Sequence, residues 1–236
     1  GAAACVVERA FANRFPDRPL LGVDDTTAAL NDLAREARAR GDARIVAVTG
    51  SVGKTGTKEM LALALGRQGA THASKGNLNN HFGAPLSLSR MPRDVAYAVF
   101  ELGMNHAGEI EPLSRMVRPH AAIVTTVEAV HLEFFADETG IADAKAEIFA
   151  GLEPGGAALI NADNRHAARL MDKARAAGVA NILRFGADKN SDIRLLSYQP
   201  DAAGSEIEVD CLGQKIAYRL GAPGRHWAQN SLGVLG

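Results

Sequence analysis

Residues 45–55 read Ile-Val-Ala-Val-Thr-Gly-Ser-Val-Gly-Lys-Thr, and this stretch decides the fold of the chain. The β-branched, apolar run at 44–49 predicts a buried strand, and the pattern of residues 54–67 predicts a helix after it. Between them lies the pattern Gly-x-x-Gly-Lys-Thr, in which Gly50 and Gly53 let backbone N–H groups approach a phosphate. A strand, a glycine-rich turn and a helix in this order predict a phosphate-binding loop.

The lysine and threonine of this loop supply charge that the helix alone lacks. A helix N-terminus typically stabilises an anion by only ~0.3–1 kcal/mol, which does not offset the charge of an ATP polyphosphate. Lys54 and a magnesium ion bound by Thr55 are therefore expected to supply the rest. Val48 stands where the general pattern has a further glycine, so a purely structural glycine turn is the alternative. The residues predicted to contact the nucleotide are Gly50, Ser51, Val52, Gly53, Lys54 and Thr55.

Composition excludes several classes of protein. The 236 residues include 26 Lys+Arg and 27 Asp+Glu, 47% are hydrophobic and 22% are charged, which excludes disorder, collagen-like repeats and a disulfide scaffold. A formal net charge of −1 argues against nucleic acid as the main partner. Cys5 and Cys211 have neither the spacing of metal ligands nor that of a redox pair, so we expect a protein of the reducing cytoplasm. Neither cysteine lies in an activating context, so we expect both to be buried structural residues.

The apolar runs and the ends of the sequence bear on membrane spans and on the completeness of the chain. No apolar run reaches the roughly 18 residues that a membrane span needs, so no membrane partner is expected. The sequence has no signal-peptide pattern and no initiator Met, and it ends inside a predicted helix. We therefore expect a fragment cut at both ends.

Apolar runs alternate with amphipathic stretches, which predicts an α/β fold with a mostly parallel, doubly wound sheet covered by helices on both faces. A small antiparallel portion is predicted near the C-terminal end, with strands at 192–198, 205–211 and 215–220. The other predicted strands are 3–7, which we expect to be buried, 97–102, 121–127, 157–161 and 181–185. Helices are predicted at 27–40, capped by Asp24 or Asp25, and at 108–117, 141–152, 165–177 and 227–235, with a linker at 14–22.

Polar residues follow several of the predicted strands, where open parallel sheets bind ligands. Glu101 is a candidate magnesium ligand, with a solvated strand-end carboxylate as the alternative. His131 and Glu133 lie just past the next strand, and a satisfied surface or core histidine is the alternative for His131. From its local pattern alone, Lys145 is a helix-surface lysine. Residues 161–164 read Asn-Ala-Asp-Asn, which favours a helix cap over an Asx-turn or a grip on ribose and base.

Taken together, these pieces resemble the Mur ligase family, in the family's order over roughly residues 44–236. Two segments, Asn-x-Asn-Asn-x-x-Gly-x-Pro at 77–85 and Glu-Leu-Gly-x-Asn-His at 101–106, are similar to the members that add D-alanyl-D-alanine. Folylpolyglutamate synthetases share the fold but usually have Gly-Lys-Gly-Ser where residues 53–56 read Gly-Lys-Thr-Gly. The other matching segments are 49–55, 107–110, 131–133, 144–149, 161–164 and 224–230.

The resemblance implies two magnesium sites. Lys54 and Thr55 would hold the β- and γ-phosphates and the first ion, with Glu101 as a second ligand of that ion. His131 would bind a second magnesium ion. Lys145 matches the position that many members carbamylate, and a carbamate there would serve the second metal, whereas an unmodified cation would repel it. The resemblance thus implies catalytic roles for Lys54, Glu101, His131 and Lys145.

The resemblance also implies which residues contact the organic ligands. Asn230 matches the adenine-contacting asparagine of the family, and Asn161 and Asp163 lie near where ribose and base are held. Asn79 and Asn80 would face the muramoyl-peptide side. The family usually has His-Asn where residues 226 and 227 are His and Trp, so the adenine pocket of this chain differs there.

The activity implied is ATP-dependent addition of D-alanyl-D-alanine to UDP-N-acetylmuramoyl-tripeptide through an acyl phosphate, in peptidoglycan precursor synthesis. Residues 1–22 would be the remnant of an N-terminal UDP-binding domain and 23–236 the central ATP-binding domain, with the C-terminal ligase domain absent. We expect a cytoplasmic monomer whose 236-residue chain alone has little ligase activity. The alternatives are another Mur-type or folylpolyglutamate-like ligase, a P-loop kinase or NTPase, and a non-catalytic binding module of the same fold.

Overall fold

The computed structural model of the chain describes residues 3–12, 14, 15, 17–130, 134, 135 and 137–236. The helices are α1 (Arg9–Ala12), α2 (Thr26–Ala39), α3 (Lys54–Gly66), α4 (Gly83–Ser89), α5 (Ile110–Val117), α6 (Glu138–Ala146), α7 (Ala167–Ala176) and α8 (Arg225–Leu235), with a 3₁₀ helix at Glu147–Gly151. The strands are β1 (Cys5–Glu8), β2 (Leu20–Val23), β3 (Arg44–Thr49), β4 (Thr71–Ala73), β5 (Tyr97–Glu101), β6 (Ala121–Val124), β7 (Ala157–Asn161), β8 (Asn181–Gly186), β9 (Ile193–Asp201), β10 (Gly204–Cys211) and β11 (Gln214–Leu220).

The main sheet has nine strands in the order β11-β10-β9-β8-β7-β6-β3-β5-β4. Every neighbouring pair from β4 to β9 is parallel, whereas β10 pairs antiparallel with both β9 and β11. This confirms the α/β class, the mostly parallel sheet and the antiparallel portion near the C-terminal end. Because β3 lies between β5 and β6, the strand order reverses at the carboxyl end of β3, which is where such sheets bind ligands.

Both faces of the main sheet are covered, which explains why β3 is apolar at successive positions. Ile45 and Ala47 pack into one core cluster with residues of α2, α4, α5, α6 and α7. Val48 points to the other face and packs with Leu61 of α3 and Leu232 of α8. Helix α3, which begins at the phosphate loop, is therefore fixed to the sheet by its own apolar side.

The first residues of the chain differ from the prediction. The strand expected to be buried at 3–7 is β1, where Cys5 is exposed, so the expectation that Cys5 is buried was wrong. The short helix α1 precedes the linker predicted at 14–22, and the end of that linker belongs to β2, which pairs parallel with β1 in a separate two-stranded sheet. The apolar residues of β1 and β2 favour strands, but a sheet of only two strands has too few neighbouring elements to bury them. The domain boundary at residue 22 stays a prediction, and β2 continues across it.

Smaller differences concern lengths and short elements. The helix predicted at 141–152 is α6 followed by the 3₁₀ helix, which begins at Glu147. The 3₁₀ helix packs closely on α5, since a Cβ at Gly151 would overlap the backbone of Ser114. Strand β4 and helix α4, which have only three and seven residues, were not predicted from the sequence. Asp25 caps α2 with its side chain, as one of the two predicted caps.

None of the helices in the described part of the chain combines the length and the apolar character that crossing a membrane requires.

Candidate active site

The phosphate loop connects β3 to α3 and needs its two glycines for different reasons. Gly50 has φ = +152° and Gly53 has φ = +85°, both in the region of positive φ that favours glycine. A Cβ at Gly53 would lie 2.6 Å from Nδ2 of Asn230, and a Cβ at Gly50 would overlap the hydroxyl of Thr125. The backbone of the loop is therefore packed directly against side chains of α8 and of the segment after β6.

The segment after β6 also fixes the loop by hydrogen bonds. Thr125 Oγ1 donates to the carbonyl of Val52 at 2.6 Å, and the Ser51 N–H donates to the carbonyl of Thr126 at 2.8 Å. The Glu128 N–H in turn donates to Ser51 Oγ at 2.9 Å. The shape of the loop thus depends on a neighbouring strand as well as on its own glycines.

Lys54 places its ammonium group over the loop. Its Nζ donates to the carbonyl of Gly50 at 2.8 Å and of Ser51 at 3.4 Å. Burial lowers the pKa of Lys54, and the nearby charge of Glu101 acts in the opposite direction. Within the described residues, no carboxylate lies at ion-pair distance from this ammonium group. A cation bound only to carbonyls in this way can accept an anionic group at the loop.

Glu101 is the acidic residue of the site and is only 2% exposed. Thr55 Oγ1 donates to its Oε2 at 2.8 Å, and Asn79 Nδ2 donates to its Oε1 at 2.7 Å. The contact with Thr55 arises because β3 and β5 are neighbours, with Val48 paired to Glu101 at their carboxyl ends. The fold thus joins two residues that are 46 positions apart in the sequence.

The donor set at this point fits magnesium. A hydroxyl and a carboxylate oxygen are ligands that Mg²⁺ accepts, and it usually takes one or two carboxylates while water and substrate phosphates complete its shell. Among the described residues there is no group of three or more His, Cys, Asp or Glu side chains that could hold a metal without such help. Thr55 and Glu101 therefore suit an ion that arrives together with a nucleotide.

Lys145 lies in α6 and is 3% exposed, which corrects the expectation of a helix-surface lysine. Burial, together with the positive charge of Lys54, lowers the pKa of Lys145 to about 7. It forms no hydrogen bond or ion pair with another described residue. About half of its amine groups are consequently neutral at pH 7, and a neutral amine is nucleophilic. His131 and Glu133 lie outside the described residues.

Two adjacent cavities open at the carboxyl ends of β3, β6 and β7. Their volumes are about 440 Å³ and about 360 Å³, which lies within the range of small-molecule sites. The smaller cavity reaches the phosphate loop through Val52 and Gly53. Residues that line both are Thr126, Glu128, Asn161 and Gln229.

Asn161 and Asp163 form one polar cluster with Gln229. Asn161 Oδ1 accepts from the Asp163 N–H at 3.0 Å and from Gln229 Nε2 at 3.0 Å, and its Nδ2 donates to the carbonyl of Thr125 at 2.8 Å. Gln229 Nε2 also donates to Asp163 at 2.8 Å. Asn161 therefore forms an Asx-turn, and the favoured helix cap was wrong, since α7 begins after His166.

Residues of α8 line the smaller cavity beside the phosphate loop. Asn230 is 8% exposed and lines the smaller cavity with His226. Trp227 does not line either cavity. Its indole ring packs on α3 so closely that a Cβ at Gly56 would overlap it. Trp227 is therefore accommodated by a glycine on the helix that follows the phosphate loop.

Comparisons with known proteins give the family of the chain. The family profile described as the Mur ligase middle domain matches residues 48–236. The chain belongs to the Mur ligase family. Its relatives include the UDP-N-acetylmuramoyl-tripeptide–D-alanyl-D-alanine ligases of Escherichia coli K12, 40% identical over 98% of this chain and 50% of the relative, and of Rickettsia prowazekii, 34% identical over 100% and 52%. The chain thus spans about half the length of the curated relatives it matches.

Solved structures of the Mur ligase family have the same fold. MurF from Acinetobacter baumannii has a TM-score of 0.85 and 32% identity, over 92% of this chain and 47% of that one. MurF from Thermotoga maritima, solved in complex with ADP, has a TM-score of 0.86 and 27% identity, over 100% and 53%. A folylpolyglutamate synthase from Mycobacterium tuberculosis, at 19% identity and a TM-score of 0.71, shares the fold.

The structure of this Mur ligase chain brings most of the predicted site residues together and adds others. Lys54, Thr55, Glu101 and Asn79 lie around the phosphate loop, whereas the side-chain oxygen of Asn80 accepts the N–H of Gly83 at the start of α4. Thr125 and Gln229 were not predicted from the sequence, although Gln229 could have been suspected as the neighbour of Asn230 and Thr125 as a hydroxyl at a strand end.

Proposed function

We propose that this chain contributes the ATP site of a ligase that joins D-alanyl-D-alanine to UDP-N-acetylmuramoyl-tripeptide. The observation that carries the proposal is the contact of Glu101 with both Thr55 of the phosphate loop and Asn79 of the 77–85 segment. One carboxylate thus connects a nucleotide-binding element to a segment that resembles the D-alanyl-D-alanine-adding members. Two relatives bearing that ligase name, at 40% and 34% identity, support it.

The nucleotide would lie along the phosphate loop and the two adjacent cavities. Residues 50–55 would hold the β- and γ-phosphates through backbone N–H groups, with Lys54 opposite the terminal phosphates. Asn230 would contact adenine, and Asn161 and Asp163, through Gln229, would shape the ribose and base pocket. The complex of the Thermotoga maritima relative with ADP supports a nucleotide in this domain.

Thr55 and Glu101 would hold the first magnesium ion, which would neutralise charge on the phosphate oxygens. For a second ion, Lys145 is suitable only after modification, since an ammonium group would repel it. A neutral Lys145 amine can attack carbon dioxide, forming an N–C bond and releasing one proton to give a carbamate anion. Burial favours this chemistry because it keeps much of the amine neutral near pH 7. We propose His131 as a further ligand of that second ion.

The reaction requires two anions to meet, so the residues of the site act mainly by alignment and charge neutralisation. The tripeptide carboxylate would accept the γ-phosphoryl group of ATP, and the amine of D-alanyl-D-alanine would then displace phosphate from the acyl phosphate. Asn79 and Asn80 would lie on the side of the muramoyl-peptide. No covalent intermediate with a side chain of this chain is needed.

The domain assignment is part of the same proposal. Residues 23–236 would act as the ATP-binding domain, and residues 1–22 would belong to a preceding UDP-binding domain. The separation of the β1–β2 sheet from the main sheet supports a change of unit near this point. The protein would act as a monomer in the cytoplasm.

The proposal is tested by a phosphate-release assay on a protein that carries this chain at the length of its curated relatives. We expect release to require ATP, UDP-N-acetylmuramoyl-tripeptide and D-alanyl-D-alanine together. Lys54→Ala should lower kcat/KM by at least about 10²-fold, because it removes the positive charge opposite the transferred phosphate. Lys215→Ala, on the exposed surface of β11, is the matched control. ATP turnover without either peptide substrate, or near-normal ligation by Lys54→Ala, would contradict the proposal.

A further inference from the structure

We infer that Lys58 is a positioning residue that fixes the loop of residues 74–80 and, through Asn79 of that loop, orients the Glu101 carboxylate toward Thr55. The inference deepens the proposed function, because it treats Glu101 as the acidic group of the nucleotide site. Its physical basis is a buried ammonium group that donates hydrogen bonds to two backbone carbonyls of one loop.

Lys58 is 0% exposed, although it belongs to the helix that starts the phosphate site. Its Nζ donates to the carbonyl of Ser74 at 2.8 Å and of Gly76 at 3.2 Å, and lies 2.9 Å from Oε1 of Glu59. The two carbonyls accept hydrogen bonds from the ammonium group, and the Glu59 carboxylate lies at ion-pair distance from it. A charge buried to this extent is stable only with such partners, so the loop carbonyls and Lys58 hold each other in place.

The position of Lys58 on α3 links it to the phosphate loop. It follows Lys54 by four residues, which places the two side chains one helical turn apart on the same side of α3. Lys54 covers the loop of residues 50–53, whereas Lys58 reaches the chain that leaves β4. One helix therefore fixes the phosphate loop and the 74–80 loop with two successive lysines.

The 74–80 loop contacts Glu101 at its backbone and at its carboxylate. Ser74 Oγ accepts the Glu101 N–H at 3.2 Å, and Asn79 Nδ2 donates to Oε1 at 2.7 Å. Asn79 is itself held in place, because its carbonyl accepts the Gly103 N–H at 2.8 Å and a Cβ at Gly103 would lie 2.8 Å from Asn79 Cγ. The orientation of the carboxylate thus depends on where the loop places Asn79.

Apart from Lys58, the loop is held by short-range backbone hydrogen bonds, in which the Leu78 N–H donates to the carbonyl of Lys75 at 3.3 Å and the Asn79 N–H to that of Asn77 at 2.7 Å. Lys75, Gly76 and Asn77 are exposed, so no apolar side chain of theirs is packed into the core. The carbonyls of Ser74 and Gly76, on either side of Lys75, face Lys58. Loss of the cation should therefore loosen the loop locally while the main sheet stays intact.

The first experiment uses the ligand-free chain. In Lys58→Met, we expect hydrogen exchange of the Gly103 amide to be at least about tenfold faster than in the wild type, because the carbonyl of Asn79, which accepts this amide, is no longer held in place. Lys75→Met, an exposed lysine of the same loop, is the matched control and should leave this exchange unchanged. Unchanged protection of Gly103 in Lys58→Met would overturn the inference, whether or not the proposed function is correct.

The second experiment measures the binding of a non-hydrolysable ATP analogue by calorimetry, with magnesium and with EDTA. We expect Lys58→Met and Asn79→Ala each to reduce the magnesium-dependent gain in affinity by about 10-fold or more, as is usual for partners of a metal ligand. Because Lys58 acts through Asn79, the double variant should lose no more than the worse single variant. Additive losses would overturn the inference.

Two other results are possible: the Lys58→Met variant does not fold, or the wild-type chain does not bind the analogue in a magnesium-dependent way. If Lys58→Met does not fold, Lys58→Gln replaces it, because the amide still donates to one carbonyl. The double-mutant cycle of Lys58→Gln with Asn79→Ala then tests the inference in the same way, and additive losses would again overturn it. If the wild-type chain shows no magnesium-dependent binding of the analogue, the proposed function fails. In that case the exchange of Gly103 still decides the role of Lys58, because faster exchange supports it and unchanged exchange contradicts it.

Discussion

The loop-facing side of α3 and the inner face of α6 each contain a buried lysine, and the two differ in what surrounds the amine. Lys58 of α3 donates to two backbone carbonyls and pairs with the Glu59 carboxylate, whereas Lys145 of α6 has no hydrogen-bond or ion-pair partner among the described residues. Both side chains are at most 3% exposed. Two equally buried lysines thus differ in their partners: the amine of Lys58 is engaged by a loop, and no described residue engages the amine of Lys145.

The largest expected effect is a loss of ligase activity when Lys145 is replaced. If this loss is not observed, the proposed difference between Lys145 and Lys58 is wrong. In a protein that carries this chain at the length of its relatives, Lys145→Met should lower ligase kcat by about 10²-fold or more, since it removes the group proposed to serve a second ion. Steady-state phosphate release measures the effect. Lys173→Met, on the surface of α7, is the control for loss of a lysine charge. Activity of Lys145→Met within twofold of the wild type would show that this amine has no chemical role.

A smaller effect concerns stability, where the two lysines should give opposite signs. At pH 7 and in carbon-dioxide-free buffer, Lys145→Met should raise the free energy of unfolding by a few kcal/mol, because the folded state depresses the pKa of Lys145 to about 7. Lys58→Met should instead lower it by about 1 kcal/mol, because two loop carbonyls lose their donor. Urea denaturation of each variant measures both changes.

The pH dependence of this effect follows from linkage. Between pH 7 and the ordinary lysine pKa of about 10.5, the unfolded chain binds the Lys145 proton and the folded chain does not, so the contribution of Lys145 to stability rises with pH. The gain from Lys145→Met is therefore greatest near and below pH 7 and shrinks as pH approaches 10. A gain that stays constant from pH 7 to 10 would contradict the depressed pKa.

The same contrast explains how much of the site could be predicted from the sequence. The phosphate loop, β3 and the start of α3 are encoded in consecutive residues, because glycine conformation and β-branching act locally. Glu101 could be placed near Thr55 because parallel strands end at one edge of a sheet. The burial of Lys145 could not be predicted, because it depends on the packing of α6 against other elements rather than on the sequence around it.

The contacts that the sequence did not predict are those between distant, short elements. Asn79 reaches Glu101 only because the three-residue strand β4 pairs with β5 and directs the following loop back over the site. Gln229 joins Asn161 only through the packing of α8 on the sheet, over a separation of 68 residues. The strand at β1 was predicted but β2 was missed, because a four-residue strand with little burial leaves a weak periodic signal.

The central claim is that Thr55 and Glu101 form a magnesium-dependent nucleotide site at the rim of the main sheet. Calorimetric titration of a non-hydrolysable ATP analogue into the wild-type chain and into Glu101→Gln tests it most directly. We predict that magnesium tightens binding to the wild type and that Glu101→Gln reduces this gain by about 10-fold or more while affinity in EDTA is unchanged. Equal affinity of the wild type with magnesium and with EDTA, or an unaltered magnesium effect in Glu101→Gln, would contradict the claim.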